Sequence, residues 1–323
     1  MQCDKHEILR MFKFRQYISF IQIFFLVFTI ILFSCKQSKN NNGGDNPWAQ
    51  LDELDKADTA IQELDVAAET MVDVIENISS PVEMAALILD LGIPYSNDYL
   101  ASTDNVDQYN TAYKKAINLG VFGADLGYLN MYNKTNVVMD YISAIKDLSD
   151  GIKVGQFFDF TTLKRLVTNN TNLDSLMLIS QQNFNKMDQY LRENNRSNLS
   201  TLIITGVWVE GIYLVTQVAK DSPHTKIKDA IGDQKTIVPI ILGLLYNYRK
   251  DPFFKKLSDD FTELKNIFDE VNITIEIGDP QPIEVDGYLI FESVEKSIIN
   301  ISDETLNKII TKSEEIRNDL IKL

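Results

Sequence analysis

Two short segments carry the residues best suited to chemistry. Residues 120–132 read GVFGADLGYLNMY and residues 206–213 read GVWVEGIY. Each sets an acid three residues before a tyrosine, Asp125 before Tyr128 and Glu210 before Tyr213, so acid and ring share one helix face. Tyr132 follows one turn later, and Trp208 stands just ahead of Glu210. Two carboxylates roughly 5–10 Å apart can act as acid and base at a glycosidic bond. The same six residues could instead line a ligand cleft, or close into a satisfied polar network inside the core. Both segments also hold glycines within a helical pattern, each costing about 1 kcal/mol relative to alanine. That cost implies close approach of a backbone or a ligand.

Other chemistry is scarce. The chain has two histidines, His6 and His224, and two cysteines, Cys3 and Cys35. His224 lies in the polar turn Asp221-Ser-Pro-His224 and reads as exposed. Histidine-rich zinc sites, Cys/His nucleophile pairs and a Ser-His-Asp triad are disfavoured. Asp104-Asn-Val-Asp107 lacks the glycine and distal glutamate of a calcium loop. No metal and no cofactor are expected. The net charge of −15 disfavours nucleic acid and anionic lipid surfaces, both of which require a basic footprint.

The elements that must position these residues are mostly helices. Apolar residues from Leu54 to Ile78 recur at spacings of three and four, predicting one long amphipathic helix over 48–78. Ser80-Pro81-Val82-Glu83 is a capping box opening a helix that stops at Gly92. Further helices are predicted over 103–119, 122–133, 135–150 (with Thr135 as cap), 161–168, 173–194 and 198–220, then from Pro239 to Tyr248 and over 253–271. Leu202–Val218 is apolar nearly all round, which marks a central helix. Glu210 sits in its middle and must be paired or neutralised. Tyr128, Tyr132, Lys164, Arg165 and Arg192 are the candidate partners.

After Val271 the pattern alternates: Asn-Ile-Thr-Ile-Glu-Ile, a turn cluster at 278–282, then Ile283-Glu-Val and Tyr288-Leu-Ile-Phe on either side of Asp286-Gly287. This predicts a small β-hairpin near residues 272–291. Ser302 then caps a helix to the C-terminus, with Asp303 and Glu304 at its positive end. The expected fold is mainly α: a multi-helix antiparallel bundle with that hairpin before the last helix.

The N-terminus has its own pattern. Lys5, Arg10, Lys13 and Arg15 precede a 16-residue apolar stretch, Ile18–Phe33, short for a membrane span. It ends in Leu32-Phe33-Ser34-Cys35, which resembles the lipobox of bacterial lipoproteins, with a bulky residue at the position before the serine. Met1 and Met11 are both possible starts. The resemblance implies a signal peptide over 1–34 and Cys35 as the acylated first residue of the mature chain. An uncleaved signal anchor is the alternative, and it too puts the body outside the cytoplasm. Residues 35–47 then form a polar, Asn/Gly-rich tether, and 48–323 form one mainly helical domain. Four basic and two acidic residues precede Cys35, which leaves the mature chain near −17 with Cys35 its only thiol.

Residues 120–213 also resemble a block found in uncharacterised helical lipoproteins of Bacteroidetes. The resemblance rests on Gly123-Ala-Asp125-Leu-Gly127-Tyr128, Asn172–Leu176, Tyr190–Arg196 and Gly206-Val-Trp208-Val-Glu210-Gly211. It implies no activity. In lipoproteins of that kind an acidic cluster after the cysteine favours surface export; its absence here implies an outer-membrane anchor facing the periplasm. The resulting expectation is a lipid-anchored binding or scaffolding domain, with the bilayer and an envelope protein as partners. The alternatives are a carboxylate hydrolase of envelope glycans and a ligand sensor of a membrane complex.

Overall fold

The helix Ser197–Asp221, the apolar segment singled out above, is buried along nearly its whole length. The computed structural model describes residues 81–161, 163–164, 173–277, 281–285, 288–292 and 295–322. The signal segment, Cys35, the tether, the helix predicted over 48–78, Ser80, Arg165 and most of the helix predicted over 161–168 lie outside the described residues. So do Gly278–Pro280 and Asp286-Gly287.

In chain order the helices are α1 (Pro81–Asp90), α2 (Ala112–Met131), α3 (Thr135–Gly151), α4 (Leu173–Glu193), α5 (Ser197–Asp221), α6 (Thr225–Asp233), α7 (Val238–Tyr246), α8 (Pro252–Asp269) and α9 (Asp303–Ile321). The strands are β1 (Asn272–Ile277), β2 (Gln281–Val285), β3 (Tyr288–Glu292) and β4 (Glu295–Asn300). Short 3₁₀ turns occupy Thr103–Gln108, Gly155–Phe157 and Gln234–Thr236. The fold is mainly α with a small β-hairpin, as the periodicity predicts.

From Leu199 to Ala219, only Val207 of α5 escapes full burial. This helix is long and apolar enough to cross a membrane, yet 94 % of its most apolar window is packed inside the protein. An all-round apolar helix has no solvent face, so in a globular fold it becomes the core. Each large apolar side chain so buried contributes about 1.5–3 kcal/mol.

Helix α2 is continuous where the sequence suggests a break between 119 and 122. The glycines there admit another backbone. A Cβ on Gly120 would stand 2.1 Å from the Ile203 carbonyl oxygen, and one on Gly206 would stand 2.0 Å from that of Ile117. Gly120 and Gly206 thus face each other's helices, and any side chain would drive α2 and α5 apart. The first half of the helix predicted over 103–119 is a 3₁₀ turn instead, capped by Ser102.

Antiparallel pairing is visible along α2/α3, where Phe122 packs on Tyr141 and the Lys115 side chain lies against Gly151. It recurs along α8/α9, where Lys256 pairs with Asp319, Lys312 with Asp260 and Lys308 with Glu270. Helix ends follow local chemistry. Gly92, Asn133, Lys153 and Asn195 adopt positive φ just past α1, α2, α3 and α4. After each, the next amide bonds back five residues, as in Lys134 N–H to Leu129 O and Arg196 N–H to Leu191 O. The α2 stop makes Lys134, not Thr135, the residue before α3, and the Lys134 side chain accepts no capping bond. Asp251 and Ser302 cap α8 and α9 through their side chains, accepting from Phe253 N and Thr305 N.

The hairpin is longer than the alternation indicates. β2 pairs with β3, Ile283 opposite Ile290, and β1 pairs with a fourth strand, Ile273 opposite Ile299. The two antiparallel ladders nest in sequence, so the pairing reaches Asn300.

Candidate functional site: a sealed polar network

Asp125 and Glu210 meet at the place where α2, α5 and α9 converge. Neither exposes any surface. The partner of Glu210 is Arg317 on α9, which none of the five candidates named from the sequence anticipates. The guanidinium grips the carboxylate with two bonds, Nε to Oε2 at 3.0 Å and Nη2 to Oε1 at 3.1 Å. Its flat face lies 4.3 Å from the centre of the Tyr213 ring. Burial alone would lower the Arg317 pKa, but the charge and hydrogen bonds of Glu210 outweigh it and hold the guanidinium above its ordinary range. Of the other candidates, Arg192 pairs with Asp188 one turn back, while Tyr128 and Tyr132 bond elsewhere.

Asp125 serves a different neighbour. Its Oδ2 accepts the amide of Ala101 at 3.0 Å, while Oδ1 is buried without a hydrogen-bond donor among the described residues. Burial, first, and then the Glu210 charge push the Asp125 carboxyl well above the usual carboxylate range; Arg317 and the Ala101 amide act the other way.

Ala101 belongs to a strap, residues 91–111, that joins α1 to α2 and is irregular except for the 3₁₀ turn at Thr103–Gln108. Where such a strap is covered, as at Tyr99 and Ala101, backbone groups without helix partners are satisfied by side chains. Tyr132 Oη donates to Ile93 O at 2.7 Å and Tyr141 Oη to Ala101 O at 2.6 Å. Tyr128 Oη accepts from Ser96 N at 3.1 Å. Arg317 Nη2 reaches Tyr99 O at 3.5 Å. Tyr99 in turn donates to Asp221 at the end of α5, at 2.6 Å. The tyrosine rings cluster at the strap: Tyr95 stacks on Tyr128 with centres 5.7 Å apart, and Tyr132 lies tilted against Tyr128 at 4.9 Å and Tyr95 at 5.7 Å. The end of α9 is tied down in the same manner: Tyr109, Asn118 and Lys114 donate to the carbonyls of Ile321, Leu320 and Lys322.

The residues singled out from the sequence therefore serve distinct purposes. Asp125, Glu210, Tyr213 and Arg317 form one charged cluster. Tyr128 and Tyr132 hold the strap beside it. Trp208 belongs to another neighbourhood, its indole N–H donating to Gln234 Oε1 at 2.9 Å and its ring lying 5.5 Å from Phe261. Asp125, Tyr128, Trp208 and Glu210 are completely enclosed, Tyr213 nearly so, and Tyr132 half-buried. Chemistry at solvent needs a reachable group, and neither carboxylate is reachable. His224 is exposed, as its polar turn implies, and its Nδ1 caps α6 by accepting from Lys226 N. Among the described residues no cluster of His, Cys, Asp or Glu is arranged to hold a metal ion.

Arg317 was within reach of sequence reasoning. It falls on the stripe Ile309, Ile310, Ser313, Ile316 and Leu320, the buried face of α9. A charge on an apolar stripe signals a buried partner as plainly as Glu210 does. Comparison of the chain with protein-family models, with curated proteins and with solved structures finds no match.

Proposed function

We propose that this protein is a lipid-anchored envelope lipoprotein whose helical body binds or scaffolds a partner and does not catalyse a reaction. The observation that carries the binding role is the enclosure of Asp125 and Glu210. A glycosidase needs one carboxyl to reach the leaving oxygen and another to reach the sugar or its attacking water. Here one carboxyl holds Arg317 and the other holds the strap. The acidic surface supports a protein partner over nucleic acid.

The anchor rests on Leu32-Phe33-Ser34-Cys35 behind the apolar stretch. Several acyl chains at about 0.8 kcal/mol per buried methylene would make release negligible. The polar tether would then hold the body at the periplasmic face of the outer membrane. Cells making the full chain or Cys35→Ser are labelled with a clickable palmitate analogue, with and without globomycin, and fractionated. Labelling and membrane retention are expected to depend on Cys35, with a larger precursor accumulating under globomycin. Equal labelling and equal retention of both chains would contradict the anchor. Protease added to intact and to permeabilised cells tests the face: cleavage only after permeabilisation is expected.

A further inference from the structure

The cluster at the α2/α5/α9 junction does not balance in charge. Two carboxyls, Asp125 and Glu210, are fully enclosed, and among the described residues one cation, Arg317, is bonded to either of them, at Glu210. Glu210 takes the Nε–Nη2 edge of the guanidinium, and among the described residues the Ala101 amide is the one donor to Asp125. The Glu210 charge nonetheless acts directly on Asp125 and adds to the rise that burial causes. Two carboxylates cannot bond unless one carries a proton, and an unpaired carboxylate in an apolar core neutralises rather than remain charged.

Among the described residues the surroundings offer no other source of compensation. Tyr141 on α3, Tyr213 on α5, Tyr109 and Tyr95 on the strap and Tyr128 on α2 itself face the cluster. Burial first of all raises each of them above the ordinary phenol range, Tyr128 to about 12, so all remain neutral near pH 7.

We infer that Asp125 is a neutral carboxylic acid in the folded protein, donating through its otherwise unpartnered Oδ1 to the Glu210 carboxylate while Oδ2 fastens the strap through the Ala101 amide. The proton makes the junction a latch. It joins Ala101 of the strap to the Arg317–Glu210 pair, and so adds to the bonds that Tyr99 makes with Arg317 and Asp221. Losing that proton to solvent would leave two adjacent anions sharing one guanidinium. The sign of the pH dependence follows: a raised carboxyl contributes stability that is full below about pH 4 and is lost as pH rises toward its folded range.

The full chain in detergent provides the test. Asp125→Asn keeps an acceptor for Ala101 and a donor for Glu210 without a titrating proton. From about pH 5 to about pH 8 the Tm of the wild type should fall relative to the variant, by about 2–4 °C per pH unit over which the folded chain alone retains the proton. Amide exchange at Ala101 should stay as slow in the variant as in the wild type. A constant Tm difference over this range, or faster Ala101 exchange in the variant, would overturn the inference, since either means that the ionised carboxylate holds the strap. Infrared spectroscopy of the wild type needs no variant. A protonated-carboxyl band near pH 6, above the ordinary carboxylate range, that moves on ¹³C-aspartate labelling is expected. Absence of that band would also overturn the inference.

Discussion

Two seams of this molecule are held by ion pairs in very different surroundings. Along α8/α9 the pairs lie at the surface: Lys256 with Asp260 and Asp319, Lys308 with Glu270 and Glu304, each lysine about half exposed or more. Where α9 meets α5, Arg317 and Glu210 form a comparable pair with almost no exposure. Water screens the first set, so each pair contributes about 0–1 kcal/mol. The second is enclosed by Tyr213, Tyr99 and the strap, and removing one partner strands a charge. Lys312 stands between the two: its side chain is 5 % exposed, yet Asp260, Glu263 and Glu315 surround its ammonium at the rim. One helix thus carries a solvated ladder on one flank and a buried fork on another. Exposure, more than the number of pairs, decides which matters.

The contrast can be broken at graded points. Arg317→Ala leaves two enclosed carboxyls without a cation and is expected to cost about 3–5 kcal/mol, read from the denaturant midpoint. Gly206→Ala comes next, because its Cβ would strike the Ile117 carbonyl; a loss of about 1–3 kcal/mol is expected from the forced separation of α2 and α5. Gly123, also on α2, has nothing within 4 Å of a would-be Cβ and lies exposed. Gly123→Ala should therefore stabilise by up to about 1 kcal/mol, by helix propensity alone. Lys256→Ala should change stability by less than about 1 kcal/mol, and high salt should erase even that.

The pH dependence separates the two seams as well. At the surface, Thr305 with Lys308, Lys228 and Lys256 hold Glu270, Asp303 and Asp319 respectively below their ordinary ranges. Groups lowered in this way stabilise above the unfolded carboxylate range and lose that contribution as pH falls through their folded values. Asp125 runs the other way. An acid limb weakened by salt, beside a decline from about pH 5 upward removed by Asp125→Asn, is the expected pattern in a pH series of Tm.

Much of the fold was legible because it is local. The all-round apolar run of Leu202–Val218 made α5 central, and the same run showed that Glu210 needed a partner. Ser302 with Asp303 and Glu304 marked the start of α9. The alternation after Val271 marked the hairpin, although β4, written Glu-Lys-Ser-Ile-Ile-Asn, alternates too weakly to be seen without its partner β1. What escaped was set by distance. Arg317 lies 107 residues from Glu210, and helix periodicity carries no information about which stripe meets which. The glycines of α2 looked like a break because their cost is local, whereas its reason, the α5 backbone, is not. The strap was read partly as helix for a similar reason. Its tyrosines and Val106 satisfy an approximate period, but its backbone is held by side chains from α2, α3 and α9. Asp125 and Glu210 resembled a catalytic pair in composition; only their enclosure separates them from one.

The most direct test of the sealed network is a double-mutant cycle between Glu210 and Arg317, using Glu210→Gln, Arg317→Met and the double substitution, with equilibrium unfolding of the full chain in detergent. Each single change should be strongly destabilising and the double much less so than their sum, giving a coupling of about 1.5–3 kcal/mol. Effects that simply add, within about 0.5 kcal/mol, would contradict a buried pair and reopen Glu210 as a solvent-facing acid.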